Sequence, residues 1–227
     1  MSDNLEIITT SDGSHSLLNT QLNETYHSIH GAIQESVHVF IKNGLEYLAQ
    51  KNPQTEIKIL EVGFGTGLNA LLTLQYNLDH LAKISYESLE AFPIAYETAM
   101  RLNYPNALSF PQAEKYFLQL HQSPWDEPVE ISNTFSLHKR HVTLEEANLV
   151  TEKFDLLYFD AFAPSKQPEM WGLPIFEKIE RSMKSGGVLV TYCAKGQLKR
   201  DLKSLGLIVE TLPGPPGKLQ MVRALKS

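Results

Sequence analysis

The chain has 227 residues and a formal net charge of −6, with 42% hydrophobic and 20% charged residues. This length suits one α/β domain with a sizeable core, and the composition is that of an ordinary globular protein rather than a disordered or fibrous one. No run of about 18 apolar residues is present and the first residues are polar, so neither a transmembrane helix nor a signal peptide is expected.

The first fifty residues are predicted to form an N-terminal extension, residues 1–50, that packs on the core of the protein. Residues 1–28 are extended and rich in turn formers, and Asp12-Gly13 is typical of a hairpin turn. A helix is predicted from about Ala32 to Gln50, because its apolar residues recur at helical spacing along one face.

The remaining residues, 51–227, alternate apolar strands with helices, which indicates an α/β fold with a doubly wound, mostly parallel, Rossmann-like sheet. Strands are predicted at 57–62, 83–90, 129–137, 154–160, 188–193, 207–212 and 219–225. Helices are predicted at 68–77, from Pro93, at 112–120, 143–149, 174–184 and 196–205.

A glycine-rich turn follows the first of these strands. The apolar run 57–62 leads into Gly63, Gly65 and Gly67, which let the backbone turn sharply and approach a ligand, and a helix begins near Leu68. The glycines lie two apart, unlike the Gly-x-Gly-x-x-Gly of dinucleotide-binding proteins. With Glu61 before them they resemble motif I of class I S-adenosylmethionine-dependent methyltransferases, whose cofactor needs a carboxylate near its cationic end. The alternative is a turn that serves only chain reversal.

Acidic residues are predicted at the carboxyl ends of three strands, where ligands bind in such sheets. They are Glu61, Glu90 and Asp160. Glu90 follows the glycine turn by about twenty residues, which suits a carboxylate that accepts hydrogen bonds from a ribose diol. Glu87 is the competing candidate, because strand ends are uncertain by a few residues.

The loop after Asp160 also has the composition of a ligand site. Pro164 and Pro168 stiffen its backbone, while Phe162 and Trp171 offer flat apolar surfaces for a nucleobase. The carboxylate of Asp160 suits an amine, with which it can form a hydrogen bond. The alternative is an ordinary loop whose aromatic side chains cap the core.

Several motifs occur in an order that resembles one family. They are Tyr26-His-Ser28, Glu35 followed by Val39-Phe40, GFGTGLN from Gly63 to Asn69, Glu90-Ala-Phe-Pro93, DAFAP from Asp160 with Pro168-x-Met170-Trp171 after it, and Ser185-Gly-Gly187. Together they resemble the methyltransferase domain of MnmC, a family of enzymes that modify tRNA wobble uridines. The resemblance runs from about residue 20 to the C-terminus.

The resemblance implies a class I methyltransferase fold with an antiparallel C-terminal strand and S-adenosylmethionine as cofactor. It also implies methyl transfer to the amine of 5-aminomethyl-(2-thio)uridine in tRNA. Bifunctional members carry an FAD-dependent oxidase domain that this chain has no room for. The chain therefore resembles a stand-alone form, with a separate FAD-dependent oxidase as a candidate partner.

The resemblance assigns roles to residues of this sequence. Asp160 would be catalytic, orienting the amine. The cofactor-binding set would be Glu61, Gly63, Phe64, Gly65, Thr66, Gly67, Asn69, Glu90 and His141. The substrate-binding set would be Tyr26, Ser28, Glu35, Phe162, Pro164, Met170, Trp171, Lys195 and Lys218. The sequence departs from the family pattern at one place, where Arg140-His141 replaces the Gly-Asp that usually helps to hold adenine. The adenine ring would then be contacted by the backbone near His141.

Charge and the remaining polar residues add weaker indications. Residues 177–227 carry ten Lys+Arg and four Asp+Glu, so Lys195, Lys199, Arg200 and Lys203 form either a tRNA-contacting stripe or a solvated helix face. The histidines lack partners at metal-ligand spacing, so no metal site is expected. Cys193 is the single cysteine, which fits a buried thiol in a cytoplasmic protein.

Two other functions remain open from the sequence. The acidic overall charge favours a class I methyltransferase that acts on a small amine or on another nucleic acid. The Arg140-His141 departure favours a non-catalytic scaffold that binds the cofactor.

Overall fold

The computed structural model describes residues 4–51, 56–108 and 110–227. The chain begins with a small antiparallel sheet of three strands, β1 (Leu5–Thr9), β2 (His15–Asn19) and β3 (Glu24–Thr25), in the order β1-β2-β3. The predicted hairpin turn at Asp12-Gly13 is confirmed, since it joins β1 to β2.

The helix predicted from about Ala32 is confirmed, and it consists of three segments. They are α1 (Ala32–Ser36), a π-helix (Val37–Glu46) and α2 (Tyr47–Lys51), which follow one another without a break. We refer to them together as the N-terminal helix. It packs on the main sheet through Gly44, where an added Cβ would lie 3.0 Å from the Cγ2 of Val190 and 3.3 Å from the ring of Tyr158. The N-terminal helix thus lies against the main sheet.

The main sheet has eight strands and confirms the α/β class. They are β4 (Glu56–Val62), β5 (Lys83–Glu90), β6 (Pro128–Ser132), β7 (Phe135–His141), β8 (Phe154–Phe159), β9 (Met183–Thr191), β10 (Ile208–Pro213) and β11 (Gln220–Leu225). Their order is β10-β11-β9-β8-β4-β5-β7-β6. Strands β9, β8, β4, β5 and β7 pair in parallel, while β11 runs antiparallel to β9, which confirms the antiparallel C-terminal strand.

Helices cover both faces of this sheet. They are α3 (Leu68–His80), α4 (Tyr96–Ala99), α5 (Tyr104–Leu108), α6 (Ala113–Gln122), α7 (Leu173–Ser182) and α8 (Gly196–Ser204), with a short 3₁₀-helix at Pro168–Trp171. One apolar core joins the sheet to the N-terminal helix, α3 and α6, and a second joins it to α7 and α8. This arrangement buries all six residues of β8, which is why its sequence is apolar except for Asp155, whose carboxylate pairs with Lys184.

Two predicted elements are wrong. The strand predicted at 129–137 is a hairpin of β6 and β7, because the chain reverses after Ser132. The helix predicted at 143–149 is absent from this described segment. Lys178 Nζ donates to the carbonyl oxygens of Leu144 and Glu145, which a continuing helix would need for its own backbone bonds.

Within residues 4–51, 56–108 and 110–227, no helix has the length and apolar character needed to span a membrane.

Candidate functional site

A cavity of about 890 Å³ opens at the carboxyl ends of β4, β5 and β8. The segment that follows β2 and contains β3 lines the cavity beside the glycine turn, where the ring of Tyr26 packs against Gly65, and the loop after Asp160 lines it as well. Its volume falls within the range of roughly 300–1,000 Å³ typical of small-molecule sites. The site therefore lies at the edge of the sheet where the sequence places its acidic residues.

The glycine turn forms the floor of this cavity. Gly63 has φ +93°, and a Cβ added there would lie 2.9 Å from the carbonyl oxygen of Asp160. Only glycine fits such a conformation at such an approach. Six residues of this turn reach the cavity wall: Gly63, Phe64, Gly65, Thr66, Leu68 and Asn69. Gly67 instead precedes the first residue of α3 and donates its N–H to the carbonyl of Phe64.

Glu90 lies at the carboxyl end of β5 and faces the cavity. Its Oε2 accepts a hydrogen bond of 2.9 Å from the N–H of Gly65, and its Oε1 accepts one of 2.8 Å from the N–H of Phe92. A carboxylate has about four lone-pair sites, so it can still accept from a ribose diol. Burial raises its pKa.

Glu87, the competing candidate, lies away from the cavity. Arg140 donates to it at 3.0 Å, and Lys153 forms a second ion pair with it. The geometry therefore favours Glu90 over Glu87 as the carboxylate for a ribose. Arg140 is engaged in this internal ion pair with Glu87.

Asp160 follows β8 and reaches the cavity beside the glycine turn. Its Oδ2 accepts a hydrogen bond of 2.8 Å from Asn69 Nδ2. Burial, followed by the negative charge of Glu35, raises the pKa of Asp160 to about 7, while Asn69 and Lys218 act in the opposite direction. A carboxyl group that titrates near neutral pH beside a ligand cavity suits exchange of a hydrogen bond or a proton with an amine.

Glu61 is buried beneath the cavity rather than in its wall. It is fully buried, and its Oε2 accepts a hydrogen bond of 2.6 Å from Ser88 Oγ. Burial, followed by the charge of Asp160, raises its pKa to about 8. Its predicted role in cofactor binding stays a prediction.

The N-terminal segment and the C-terminal hairpin meet at the cavity, and the N-terminal segment also contacts the glycine turn through Tyr26 and His27. Lys218 forms an ion pair with the buried Glu35, whose Oε1 also accepts a hydrogen bond of 3.0 Å from the N–H of Ser28. The ammonium of Lys218 lies 3.9 Å from the ring centroid of Tyr192. Tyr26 also lines this wall. These four predicted substrate-binding residues, Tyr26, Ser28, Glu35 and Lys218, thus share one wall of the cavity.

The two aromatic residues predicted to face a nucleobase, Phe162 and Trp171, lie at different depths in the loop after Asp160. Phe162 lies in the cavity wall with its ring centroid 5.1 Å from that of Tyr26, and Met170 also lines the cavity. Trp171 lies behind the loop, where its Nε1 donates a hydrogen bond of 2.8 Å to the carbonyl oxygen of Phe162. It packs on Phe159, so its observed contribution is to hold Phe162 in place.

Three other predicted residues lie outside the observed cavity wall. Pro164 belongs to the loop but not to the residues that line the cavity, and Lys195 is exposed at the start of α8. His141 is exposed, and its N–H donates to Asp126 Oδ1 at 3.0 Å. The segment that follows it, 142–146, does line the cavity.

The structure adds cavity residues that the sequence did not single out. Tyr192 directly follows β9, and its hydroxyl donates to the carbonyl oxygen of Ala161 at 2.8 Å. Tyr192 lies near the carboxyl end of the strand predicted at 188–193. This position could have marked it as a candidate cavity residue from the sequence. Lys166 donates to the carbonyl oxygen of Leu22 at 2.8 Å, a contact that sequence spacing does not indicate.

The cavity wall carries an excess of carboxylates. Two lysines line it, Lys166 and Lys218, against seven acidic residues, which are Glu24, Glu35, Glu90, Glu145, Glu146, Asp160 and Glu169. Such a wall attracts a cationic ligand. Among the residues that the structure describes, no group of three or more His, Cys, Asp and Glu side chains could hold a metal ion.

Comparison with known proteins identifies the ligand class. A family profile described as S-adenosyl-L-methionine-dependent methyltransferase matches residues 114–227, half of the chain. The chain belongs to this family. S-adenosylmethionine is therefore the methyltransferase's cofactor. The carboxylate at the end of β5, the close-packed glycine turn and the acidic cavity all fit it.

The similar proteins agree with this assignment. The "tRNA 5-methylaminomethyl-2-thiouridine biosynthesis bifunctional protein MnmC" of Magnetococcus marinus is 30% identical over 88% of this chain and 31% of its own length. The protein of the same name from Leptospira interrogans is 30% identical over 89% of this chain and 32% of its own length. The chain thus spans about a third of the length of these relatives.

Solved structures show the same fold. MNMC2 from Aquifex aeolicus superposes with a TM-score of 0.79 at 24% identity, covering 98% of this chain and 70% of that one. Spermidine synthase from Thermotoga maritima superposes with a TM-score of 0.60 at 13% identity, covering 97% of this chain and 68% of that one.

The close approach of Gly63 to Asp160 makes a prediction about stability. We expect Gly63→Ala to lower the free energy of unfolding by more than the roughly 1–2 kcal/mol that a left-handed conformation costs a residue with a Cβ. The added methyl group would also meet the carbonyl oxygen of Asp160. Gly13→Ala is the control, because Gly13 has φ +82° and nothing within 4 Å of an added Cβ. Equal losses in urea titrations of the two variants would contradict this account.

The hydrogen bonds of Glu90 make a prediction about cofactor binding. Glu90→Gln replaces one acceptor oxygen with an NH₂ group that faces the N–H of Gly65 or of Phe92. We expect the Kd of S-adenosylmethionine to rise by about tenfold or more, the effect of losing one hydrogen bond to a charged group. Isothermal titration calorimetry measures it. The control, Glu87→Gln, should leave the Kd within about twofold, and an equal rise in both variants would exclude the assignment.

Proposed function

We propose that this methyltransferase transfers the methyl group of S-adenosylmethionine to the primary amine of 5-aminomethyl-(2-thio)uridine at the wobble position of tRNA. The observation that carries the proposal is the position of Asp160, whose carboxyl group lies at the cavity beside the glycine turn and is oriented by Asn69. The similarity to proteins named for methylaminomethyl-thiouridine biosynthesis supports the choice of acceptor.

The acceptor amine must be neutral to attack, and the carboxylate of Asp160 is a group that can accept the proton an ammonium form must lose. The cofactor supplies an electrophilic methyl group on a sulfonium. Asp160 accepts a hydrogen bond from an N–H of the amine. This bond orients the amine so that the lone pair of its nitrogen points at the methyl group. With the cofactor bound, its methyl group would pass from sulfur to the amine nitrogen and the sulfur would leave as a neutral thioether. The carboxylate of Asp160 would stabilise the positive charge on the nitrogen and take up the proton that is released.

The remaining walls would position the base. Phe162 offers a flat apolar surface, held by Trp171 from behind. The Glu35–Lys218 pair, together with Tyr26 and Ser28, also lines the cavity. These groups suit the polar edge of a uracil ring.

Docking of tRNA is proposed on α8. Lys195, Arg200 and Lys203 are exposed on or next to this helix, and Lys199 is half-exposed. Lys195 lies three residues after Tyr192, which lines the cavity. A basic stripe that begins so close to the cavity suits the phosphates of an RNA whose base enters the site.

The proposed reaction also implies an upstream enzyme and a cellular compartment. A 5-aminomethyl group becomes available only after an upstream reaction, so we propose an FAD-dependent oxidase activity that removes a carboxymethyl group from the same nitrogen. A tRNA substrate implies action in the cytoplasm.

A second candidate is methylation of a small cationic amine. The seven carboxylates around the cavity favour it, because they attract a compact cation and repel RNA phosphates. The two candidates differ in what they need outside the cavity, since a small amine does not require the basic residues of α8.

Asp160 provides the test of the catalytic assignment. We expect Asp160→Asn to lower kcat by at least about 100-fold, because the amide keeps the shape but cannot be an anionic acceptor. The Kd of S-adenosylmethionine should stay within about threefold. Asp79→Asn, near the C-terminal end of α3 and exposed, is the control for loss of one carboxylate at a distance. Turnover of the Asp160 variant near that of the wild type, with retained folding, would overturn the assignment.

The pH dependence of the wild-type enzyme follows from the same residue. Since burial raises the pKa of Asp160 to about 7, its ionised fraction increases as the pH rises through that value. We therefore expect kcat to rise about tenfold per pH unit below pH ~7 and to level off above it. This acidic limb should be absent from the residual activity of Asp160→Asn. A limb that persists there would assign the titration to another group.

Nucleoside mass spectrometry separates the two acceptors. Deletion of the gene should cause 5-aminomethyl-(2-thio)uridine to accumulate in tRNA, and the purified protein should convert it to the methylaminomethyl form. Transfer of label from S-adenosylmethionine to free diamines, with unchanged tRNA nucleosides in the deletion strain, would establish the second candidate instead.

A further inference from the structure

His27 connects the glycine turn to the cavity. Its ring lines the cavity, although the residue is only 7% exposed, and its Nε2 lies 2.8 Å from the hydroxyl oxygen of Thr66 in the glycine turn. The hydroxyl of Tyr104 donates a hydrogen bond of 3.2 Å to that same oxygen. The three side chains therefore form a chain of hydrogen bonds that ends at the cavity.

The directions of these hydrogen bonds fix the tautomer of His27. The oxygen of Thr66 accepts the proton of Tyr104, and among the described residues His27 Nε2 is the acceptor left for the proton of Thr66 itself. A nitrogen that accepts carries no proton, so the proton of the neutral ring lies on Nδ1. Burial lowers the pKa of His27 to about 4, against the opposing charge of Glu35, and the ring is therefore neutral at pH 7.

The Nδ1–H group of His27 has no hydrogen-bond partner within residues 4–51, 56–108 and 110–227, because the bonds of this residue involve its backbone N–H and Nε2. Five side-chain atoms in that part of the chain are fully buried without a partner, and Nδ1 is not one of them. It therefore keeps contact with the open space of the cavity that the ring lines. A donor in so buried a side chain needs an acceptor, which a bound ligand can supply.

The position of this donor is fixed by the protein. The N–H of Tyr26 donates to the carbonyl oxygen of Leu17 at 2.9 Å, and the N–H of His27 donates to Ser16 Oγ at 3.0 Å. The ring of Tyr104 packs edge-on against that of His27, with 6.4 Å between the centroids. The Nδ1–H group is thus in place before a ligand arrives, as a binding site requires.

The cofactor carries one anionic group, the carboxylate of its methionine part. The cavity wall offers this group few cations, since its two lysines face seven acidic residues and both are engaged. Lys218 pairs with Glu35, and Lys166 donates to a backbone carbonyl oxygen. The Nδ1–H of His27 is a donor that the protein does not use, and it lies one imidazole ring away from Thr66 in the glycine turn. A hydrogen bond to a carboxylate is stronger than one to a neutral acceptor.

We propose that His27 binds the methionine carboxylate of S-adenosylmethionine through its Nδ1–H group, and that Thr66 and Tyr104 hold the tautomer that presents this donor. His27 then brings the N-terminal segment into the cofactor site. Thr66 and Tyr104 are positioning residues that act through His27. The inference goes beyond the proposed function, because it depends on the cofactor and not on which amine is methylated.

S-adenosylmethionine and its decarboxylated form test the proposal, because they differ only in this carboxylate. His27→Gln can accept from Thr66 through its amide oxygen but places no N–H at the position of Nδ1. We expect it to raise the Kd of S-adenosylmethionine by about tenfold or more, the effect of losing one hydrogen bond to a charged group. The Kd of the decarboxylated form should stay within about twofold of the wild-type value. Isothermal titration calorimetry measures both.

Two further variants complete the calorimetric test. His27→Asn should recover most of the affinity for S-adenosylmethionine, because its N–H₂ group lies near the position of Nδ1. The control is His80→Gln, at the exposed end of α3, which should leave both Kd values unchanged. An equal rise for both ligands in His27→Gln would overturn the proposal. So would an unchanged Kd of S-adenosylmethionine with a raised KM for the methyl acceptor, which would place the donor on the acceptor instead.

Nuclear magnetic resonance tests the tautomer without any ligand. In protein labelled with ¹⁵N-histidine at pH 7, His27 should carry its proton on Nδ1, and its signals are identified by their loss in His27→Gln. Thr66→Val should populate the Nε2–H tautomer, because the hydroxyl that donates to Nε2 is gone. Thr66→Ser keeps that hydroxyl and should keep the wild-type tautomer. A proton on Nε2 in the wild type would overturn the proposal.

Failure of this inference is distinguishable from failure of the proposed function. The calorimetric and magnetic resonance measurements use the free protein and the cofactor and require no tRNA. If tRNA proves not to be the acceptor, they still decide the role of His27. If His27 proves not to bind the carboxylate, the assignment of the acceptor is unaffected.

Discussion

The structure depends on the close approach of two strand ends. The turn after β4 passes so near the end of β8 that a single added carbon at Gly63 would meet the carbonyl oxygen of Asp160. Asn69, on the first turn of α3, completes the contact by donating to the carboxylate. Because the backbone positions are fixed by parallel pairing of β4 with β8, the cofactor turn and the acidic side chain are placed by the sheet rather than by flexible loops.

The rest of the cavity is built from the two ends of the chain. The N-terminal segment supplies Glu35 and the C-terminal hairpin supplies Lys218, and these two residues form an ion pair at the cavity. Burial and the charge of Glu35 raise the pKa of Asp160, while Lys218 lowers it. Burial also raises the pKa of Glu61. Each end of the chain thus contributes a charged group that acts on Asp160.

The sequence predicted the parallel sheet and the residues at its strand ends, because buried strands are apolar runs and the glycine turn has a specific spacing. It did not predict that the segment 129–137 reverses direction, since the turn after Ser132 lacks glycine and the alternation continues through it. It could not show the pairing of Glu35 with Lys218, which are 183 residues apart. Nor could it show that Lys178 would bond the carbonyl groups of a predicted helix.

A crystal structure of the protein with S-adenosylmethionine bound tests the central claim most directly. The account predicts that the ribose hydroxyls lie within hydrogen-bond distance of Glu90. It also predicts that the sulfonium methyl group points toward the space in front of Asp160, where an amine nitrogen held by that carboxylate could lie about 3–3.5 Å from the methyl carbon. A cofactor whose methyl group faces away from Asp160, or whose ribose is held by residues other than Glu90, would contradict it.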